Sequence, residues 1–250
     1  DRIHPSTDGH LVMAYLFLKA QGLAGKPVAD IRIDGAGKKV TRSDNCRVSD
    51  LSVSSDNLTF TYEAKSLPYP IDTSYYDNEK HTQADALSVI PFMDEMNYEG
   101  LSVSGLSDGY YGLTIGGEFI GRFTARELER GINMALLQNT PQYKQAMKIR
   151  QMNEERWLKE RKMREFYWVE YNLMRKTGML WACNEAAVDT LRKYRPHDIF
   201  LQWNGDLWLQ YMHKGIREDC VNEQQDLVNQ IYEQNKPIPL RIEIKKFTDL

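Results

Sequence analysis

Two hydrophobic periods, written in separate blocks, constrain the fold of this chain more than any other feature. From Val28 to about Ala64, apolar and polar residues alternate through ADIRID, KKVTR, CRVSDLSVS and NLTFTYEA, separated by DGAG, SDN and SSDN clusters. Such alternation marks strands with one buried face, and the clusters are turn formers. LSVSGL, YYGLTI and EFIGRF extend the pattern as a tight meander with SDG and GG at its turns. At Thr140-Pro141 the composition turns helical, since a cap residue with Pro at the first helical position is a strong helix start. That helix is expected to run to about Lys176 and to end at Gly178. A second helical region follows from about Asn184 to Asn235, and helical hairpins fit best. PIPLRIEIKKF then closes the sequence as one alternating strand able to rejoin the β-rich part. Strands and helices in separate blocks place the chain in the α+β class.

Smaller signals fill in the map. Residues 8–21 predict a helix, with the cap types Ser6, Thr7 and Asp8 before it and Gly22 as its C′ residue. Leu11 to Leu18 make it apolar on nearly every side, so other structure must cover it. The same run is far shorter than the roughly 20 apolar residues that span a bilayer, and no transmembrane segment is expected. SLPYPID reads as an irregular connection, Ala84 to Phe92 as a short helix, and TARE at 124–127 as a capping box opening a helix at Ala125.

Charge and cysteine content exclude several functions. The net charge of −3 is no footprint of a nucleic-acid binder. Between Lys148 and Arg164 the bases are interleaved with Glu154, Glu155 and Glu160, as on a solvated helix face. Glu155 with Lys159 and Glu160 with Arg164 have the spacing that supports an exposed helix. Cys46, Cys183 and Cys220 lie far apart with no CxxC, so no zinc template applies, and their disulfide state is left open. His81, His197 and His213 show no metal-ligand spacing, GLAGKP lacks the P-loop pattern, and no cofactor is implied. The Trp, Tyr and Met residues of 150–215 suit a hairpin core, the alternative being a substrate groove for carbohydrate.

The chemistry sits in Asp1-Arg2-Ile3-His4-Pro5. A neutral imidazole is a useful general base near pH 7, and a carboxylate on its other nitrogen fixes the tautomer and stabilises the imidazolium. Asp1 can fold back on His4 across one turn, and Pro5 restricts His4 to extended geometry. The wider stretch DRIHPSTDGHLVMAYLFLKAQG resembles the last conserved block of SGNH (GDSL-type) esterases and lipases: D-x-x-H-P, then G-H, then an apolar helix closing an α/β/α sandwich. Asp1, His4, Pro5, Gly9 and His10 stand where that pattern wants them. Residues 101–147 also resemble the tail that follows this block in a bacterial subset of the family.

That resemblance implies acyl-ester hydrolysis through an acyl-enzyme, with His4 taking the proton of a serine and Asp1 orienting His4. It implies a small-molecule or carbohydrate ester as substrate and a periplasmic or secreted location. The family's G-D-S nucleophile and its oxyanion blocks are missing from these residues. The expectation is therefore a C-terminal portion that works with the N-terminal portion of the same hydrolase and is inactive alone. Gly105-Leu106-Ser107-Asp108-Gly109 matches G-x-S-x-G, but two strands flank it where a nucleophile elbow needs strand and helix, so Ser107 reads as a turn residue. His10 is given a capping or structural role. Three regions are expected: residues 1–24 as the loop and helix of the SGNH domain, 25–139 as a small antiparallel β-rich domain, and 140–250 as helical hairpins with a return strand. The alternative is a non-catalytic β-plus-helical binding module whose DxxHP turn is vestigial.

Overall fold

The computed structural model describes residues 5–74 and 80–247, so the expected catalytic pair Asp1 and His4 lies outside the described residues. The chain forms two compact units, Asp1–Lys148 with Asn235–Leu250, and Ile149–Gln234. The architecture is α+β.

The first unit opens with α1 (Thr7–Ala20). Gly22 ends it at φ +75°, with Gly22 N donating to Lys19 O and Leu23 N to Leu18 O. This is a Schellman cap, which needs the left-handed conformation that glycine adopts freely. The strands β1 (Ala29–Asp34), β2 (Lys39–Asp44), β3 (Cys46–Val53) and β4 (Asn57–Ala64) follow where the alternation places them. After a 3₁₀ turn (Gln83–Ser88) and the short α2 (Phe92–Glu95) come β5 (Glu99–Ser104), β6 (Tyr110–Ile115) and β7 (Glu118–Thr124). Thr124 and Glu127 form the capping box that opens α3 (Ala125–Arg130), and β8 (Ile132–Asn133) precedes α4 (Pro141–Val169).

Two sheets share one core, ordered β2-β1-β5-β8 and β3-β4-β9-β6-β7, where β9 (Leu240–Lys246) is the last strand of the chain. β9 lies between β4 and β6, with Phe60 opposite Ile242 and Leu113 opposite Ile244. It supplies the buried Leu240, Ile242 and Ile244, which pack with Ile31, Ile33, Leu101 and Val103 of the other sheet. Cutting any of these large side chains back to alanine is worth about 2–5 kcal/mol.

The meander expected from residues 101–123 is divided between the sheets. β6 and β7 form the hairpin, whereas β5 pairs with β1 in parallel, Ile31 opposite Leu101. The chain crosses between sheets at Gly105 (φ +72°), where a Cβ would stand 2.9 Å from the backbone nitrogen of Ala36. Alternation specifies which face of a strand is buried but not which strand it pairs with, so the crossing is invisible in the sequence.

α1 meets one apolar layer. Leu11 and Tyr15 are buried against Ile71, Ala86, Ile90, Phe92 and Met93. Tyr15 Oη and Lys19 Nζ both donate to Glu95 (2.8 and 2.7 Å). Met13, Leu16 and Phe17 on its other side are 59%, 55% and 65% exposed, so the described residues cover only half of a helix expected to need cover all round.

In the second unit, α4 continues into a π-helical turn (Glu170–Met174), followed by α5 (Glu185–Tyr194), α6 (Ile199–Tyr211) and α7 (Lys214–Gln234). Phe166, Val169, Met174, Leu191, Leu201, Trp208 and Cys220 form its core. The ion pairs expected along α4 are present, Lys159 with Glu155 and Arg164 with Glu160, both at 3.7 Å. The expectation that its aromatics pack against neighbours holds for Phe166 and fails for Trp157 and Tyr171, which are each 45% exposed. The Arg164 guanidinium lies over the Trp157 ring, while Tyr171 is flanked by the Arg175 guanidinium and by the Trp181 ring at 5.8 Å.

Candidate functional site

Pro5 to His10 carry the described part of the D-x-x-H-P…G-H block. Ser6 is extended (φ −71°, ψ 178°) and heads α1, and its hydroxyl donates to the Asp8 carboxylate. Asp8 also accepts from Gly9 N (2.8 Å). Those bonds, the Ser6 one foremost, hold the Asp8 carboxyl below the usual range. Gly9 has a steric reason: a Cβ there would come within 3.0 Å of the Pro5 Cβ. The glycine lets the proline lie against the first turn of the helix. His10 is exposed on that turn, and His81 Nδ1 stands 3.9 Å from Asp8 Oδ2, beyond hydrogen-bond reach.

Ser107 occupies the link between β5 and β6. Its hydroxyl accepts from Lys246 Nζ (2.8 Å) and lies 3.1 Å from Tyr111 Oη, which in turn donates to the Ser107 carbonyl. A charged lysine that donates to the hydroxyl is no base for it, and the flanks are two strands, not strand and helix.

Sequence reasoning missed the most unusual titratable group of the first unit. Glu99 is fully buried, accepting from Tyr62 Oη (2.8 Å) and from Gln142 Nε2 (3.2 Å). Burial raises its pKa to about 7, against the lowering effect of the Tyr62 and Gln142 bonds. The Tyr62 hydroxyl is raised too, by burial first and then by the Glu99 charge. Gln142 Oε1 is buried there with no hydrogen-bond partner among the described residues. The cluster ties β4 of one sheet, β5 of the other and the first turn of α4. Its one signal in the sequence is a glutamate on the inward phase of a strand. Tyr62, Glu99 and Gln142 are all buried, so the cluster is a place to hold a proton rather than a place for a substrate.

The second unit has its own buried carboxylate, Glu170, which accepts from Trp208 Nε1 and from Trp181 N, both at 2.8 Å. Trp181 sits at φ +62°, a strained conformation for a bulky residue, with its ring 5.8 Å from that of Tyr171 and 6.3 Å from that of Phe166. The aromatics of 150–215 therefore divide between core and surface: Trp208 is buried, while Trp203 is 67% exposed. Cys46, Cys183 and Cys220 are all free thiols. Among the described residues no group of three or more His, Cys, Asp and Glu side chains is placed to hold a metal ion, and no helix is long and apolar enough to cross a membrane.

Comparison with known proteins bears on both units. Residues 147–236 match the family described as the diltiazem deacetylase C-terminal helical domain. A solved structure described as a gut microbial diltiazem-metabolizing enzyme superposes with a TM-score of 0.93 over 99% of this chain, at 40% identity. The chain spans 56% of that protein's length. No curated protein matches.

Proposed function

We propose that this chain is the C-terminal portion of an SGNH-type serine esterase that removes an acetyl group from a small-molecule ester. The observation that carries the reading is a coincidence of two independent signals. The D-x-x-H-P…G-H block before an apolar helix resembles the acid–base block of that family, and the same chain is 40% identical to a diltiazem-metabolizing enzyme along nearly its whole length. The match of the helical unit to a deacetylase domain adds the acyl group. The half-bare α1 and the tight Pro5–Gly9 contact are further support, since a helix of the hydrolase sandwich has a second layer to meet.

In this mechanism His4 accepts the hydroxyl proton of a serine as its oxygen attacks the ester carbonyl. The imidazolium, steadied by Asp1, then passes that proton to the departing alcohol. His4 next takes a proton from water, whose oxygen attacks the acetyl-enzyme, and returns it to the serine as acetate leaves. The serine and the oxyanion donors come from the part of the hydrolase outside this sequence, so residues 1–250 alone are expected to show no serine-dependent turnover. Residues 1–24 belong with that hydrolase domain in this reading, and an extracytoplasmic location rests on the family resemblance alone.

Hydrolysis of p-nitrophenyl acetate by the complete hydrolase, compared with His4→Ala and Asp1→Asn, tests the assignment. Loss of about 10³-fold or more in kcat at unchanged circular dichroism is expected for His4→Ala, the scale of triad removal elsewhere. Undiminished turnover in that variant would remove His4 from the mechanism and favour a vestigial turn. An acetylated aromatic alcohol and an acetylated sugar, assayed side by side, separate the two substrate classes.

A further inference from the structure

A cleft in the second unit is lined by none of the residues assigned to this chemistry. It lies between the end of α4 and the segment joining α5 to α6, encloses about 340 Å³, and is walled by Trp168, Asn172, Lys176, Tyr194, His197 and Asp198 among others. That is within the range of small-molecule pockets, which begin near roughly 300 Å³.

Both walls are held in place. One carries the π-helical turn, whose extra residue re-aims every side chain after it. Glu170 anchors this turn through the bonds from Trp208 and Trp181. Asn172 Nδ2 donates to Trp168 O (2.9 Å) and Thr177 Oγ1 to Leu173 O (3.0 Å), so side chains satisfy carbonyls near the turn. The other wall is clamped by Arg195, whose two terminal nitrogens meet the two Asp206 oxygens at 2.6 and 2.7 Å. Its guanidinium lies on Gly205, where a Cβ would come within 3.2 Å of Nε.

The lining selects a ligand type. Trp168, braced by Phe200 at 5.2 Å between ring centres, and the half-exposed Tyr194 offer aromatic surfaces. No carboxylate among the described residues is within ion-pair distance of Lys176 or His197. Asp198, the one acid of the lining, is engaged as the cap of α6, its Oδ1 accepting from Phe200 N (2.8 Å) and Leu201 N (3.3 Å). Its charge faces the positive end of that helix. Just outside, Lys193 lies over the Tyr194 ring and Arg195 is neutralised by Asp206. The uncompensated charge is positive, and lysine is a good point donor to a carboxylate.

We propose that this cleft is a binding site for a small aromatic carboxylate, its ring on Trp168 and Tyr194 and its carboxylate on Lys176 and His197. The site is independent of ester hydrolysis. Isothermal titration of the complete protein with indole-3-acetate, with indole-3-ethanol as the neutral comparison, tests it. Saturable one-to-one binding is expected, weakened at least about tenfold in Lys176→Met, as for loss of one charge-assisted hydrogen bond. Indole-3-ethanol should lose a similar factor. Lys176 is exposed, so this variant should fold normally, and Trp168→Ala provides the second variant. No heat of binding up to millimolar ligand, equal binding of the alcohol, or unchanged affinity in Lys176→Met would overturn the proposal. p-Nitrophenyl acetate turnover is expected to be the same in both variants and wild type, so failure here and failure of the esterase reading are separable.

Discussion

Replacing Glu99 with glutamine should make this protein more stable at pH 8 and abolish a pH dependence that the wild type shows. The buried carboxyl has its pKa raised from 4.5 to about 7. The native state thus holds this proton more tightly than the unfolded chain does. The resulting stabilisation is fully present below pH 4.5, declines as pH rises, and is lost above about 7. A displacement of roughly 2.5 units at 1.36 kcal/mol per unit gives about 3 kcal/mol between the limits. Glutamine carries no charge and preserves the shape. Its oxygen can accept from Tyr62, and its amide can donate to Gln142 Oε1, which is buried with no partner among the described residues of the wild type. Urea unfolding at several pH values from 5 to 9 measures the effect. The wild-type midpoint is expected to fall across this range by about 1–3 M, taking the urea slope as ~1–3 kcal/mol per molar, and the Glu99→Gln midpoint to stay level. Two parallel curves, offset by a constant amount across pH 5–8, would refute the argument, because the pH dependence would then arise elsewhere.

Two further substitutions probe other parts of the structure. Trp208→Phe removes the indole N–H and leaves buried Glu170 with the Trp181 amide as its remaining donor among the described residues; chemical denaturation should show a loss of about 2–3 kcal/mol, partly restored when Glu170→Gln is added. Gly9→Ala places a methyl group 3.0 Å from the Pro5 Cβ, so p-nitrophenyl acetate turnover by the complete hydrolase should drop about tenfold or more, as displaced catalytic groups do. The melting temperature should move little, since alanine favours the helix that the contact strains.

Period carried much of the fold into view. The β-rich and helical blocks, the capping box at Thr124 and the glycine stop at Gly22 are local, and local chemistry decides them. The departure of β5 to pair with β1 is a matter of strand partners, which alternation does not encode. Glu99 looked like an ordinary polar strand residue, because burial on both sides depends on a sheet, a second sheet and a helix converging. The exposed ring of Trp157 carries the same lesson in reverse, since the Arg164 guanidinium seven residues along the helix lies over what an apolar neighbour was expected to cover. The candidate catalytic pair was legible only through the spacing of Asp1, His4, Pro5, Gly9 and His10, and the Pro5–Gly9 contact supplies a physical reason for two of those five.

Labelling with a fluorophosphonate, followed by mass-spectrometric mapping of the modified residue, tests the central claim most directly. In the complete hydrolase one modified serine is expected, lying outside residues 1–250, with labelling slowed at least about a hundredfold in His4→Ala. Modification of Ser107, or labelling of His4→Ala at the wild-type rate, would contradict it.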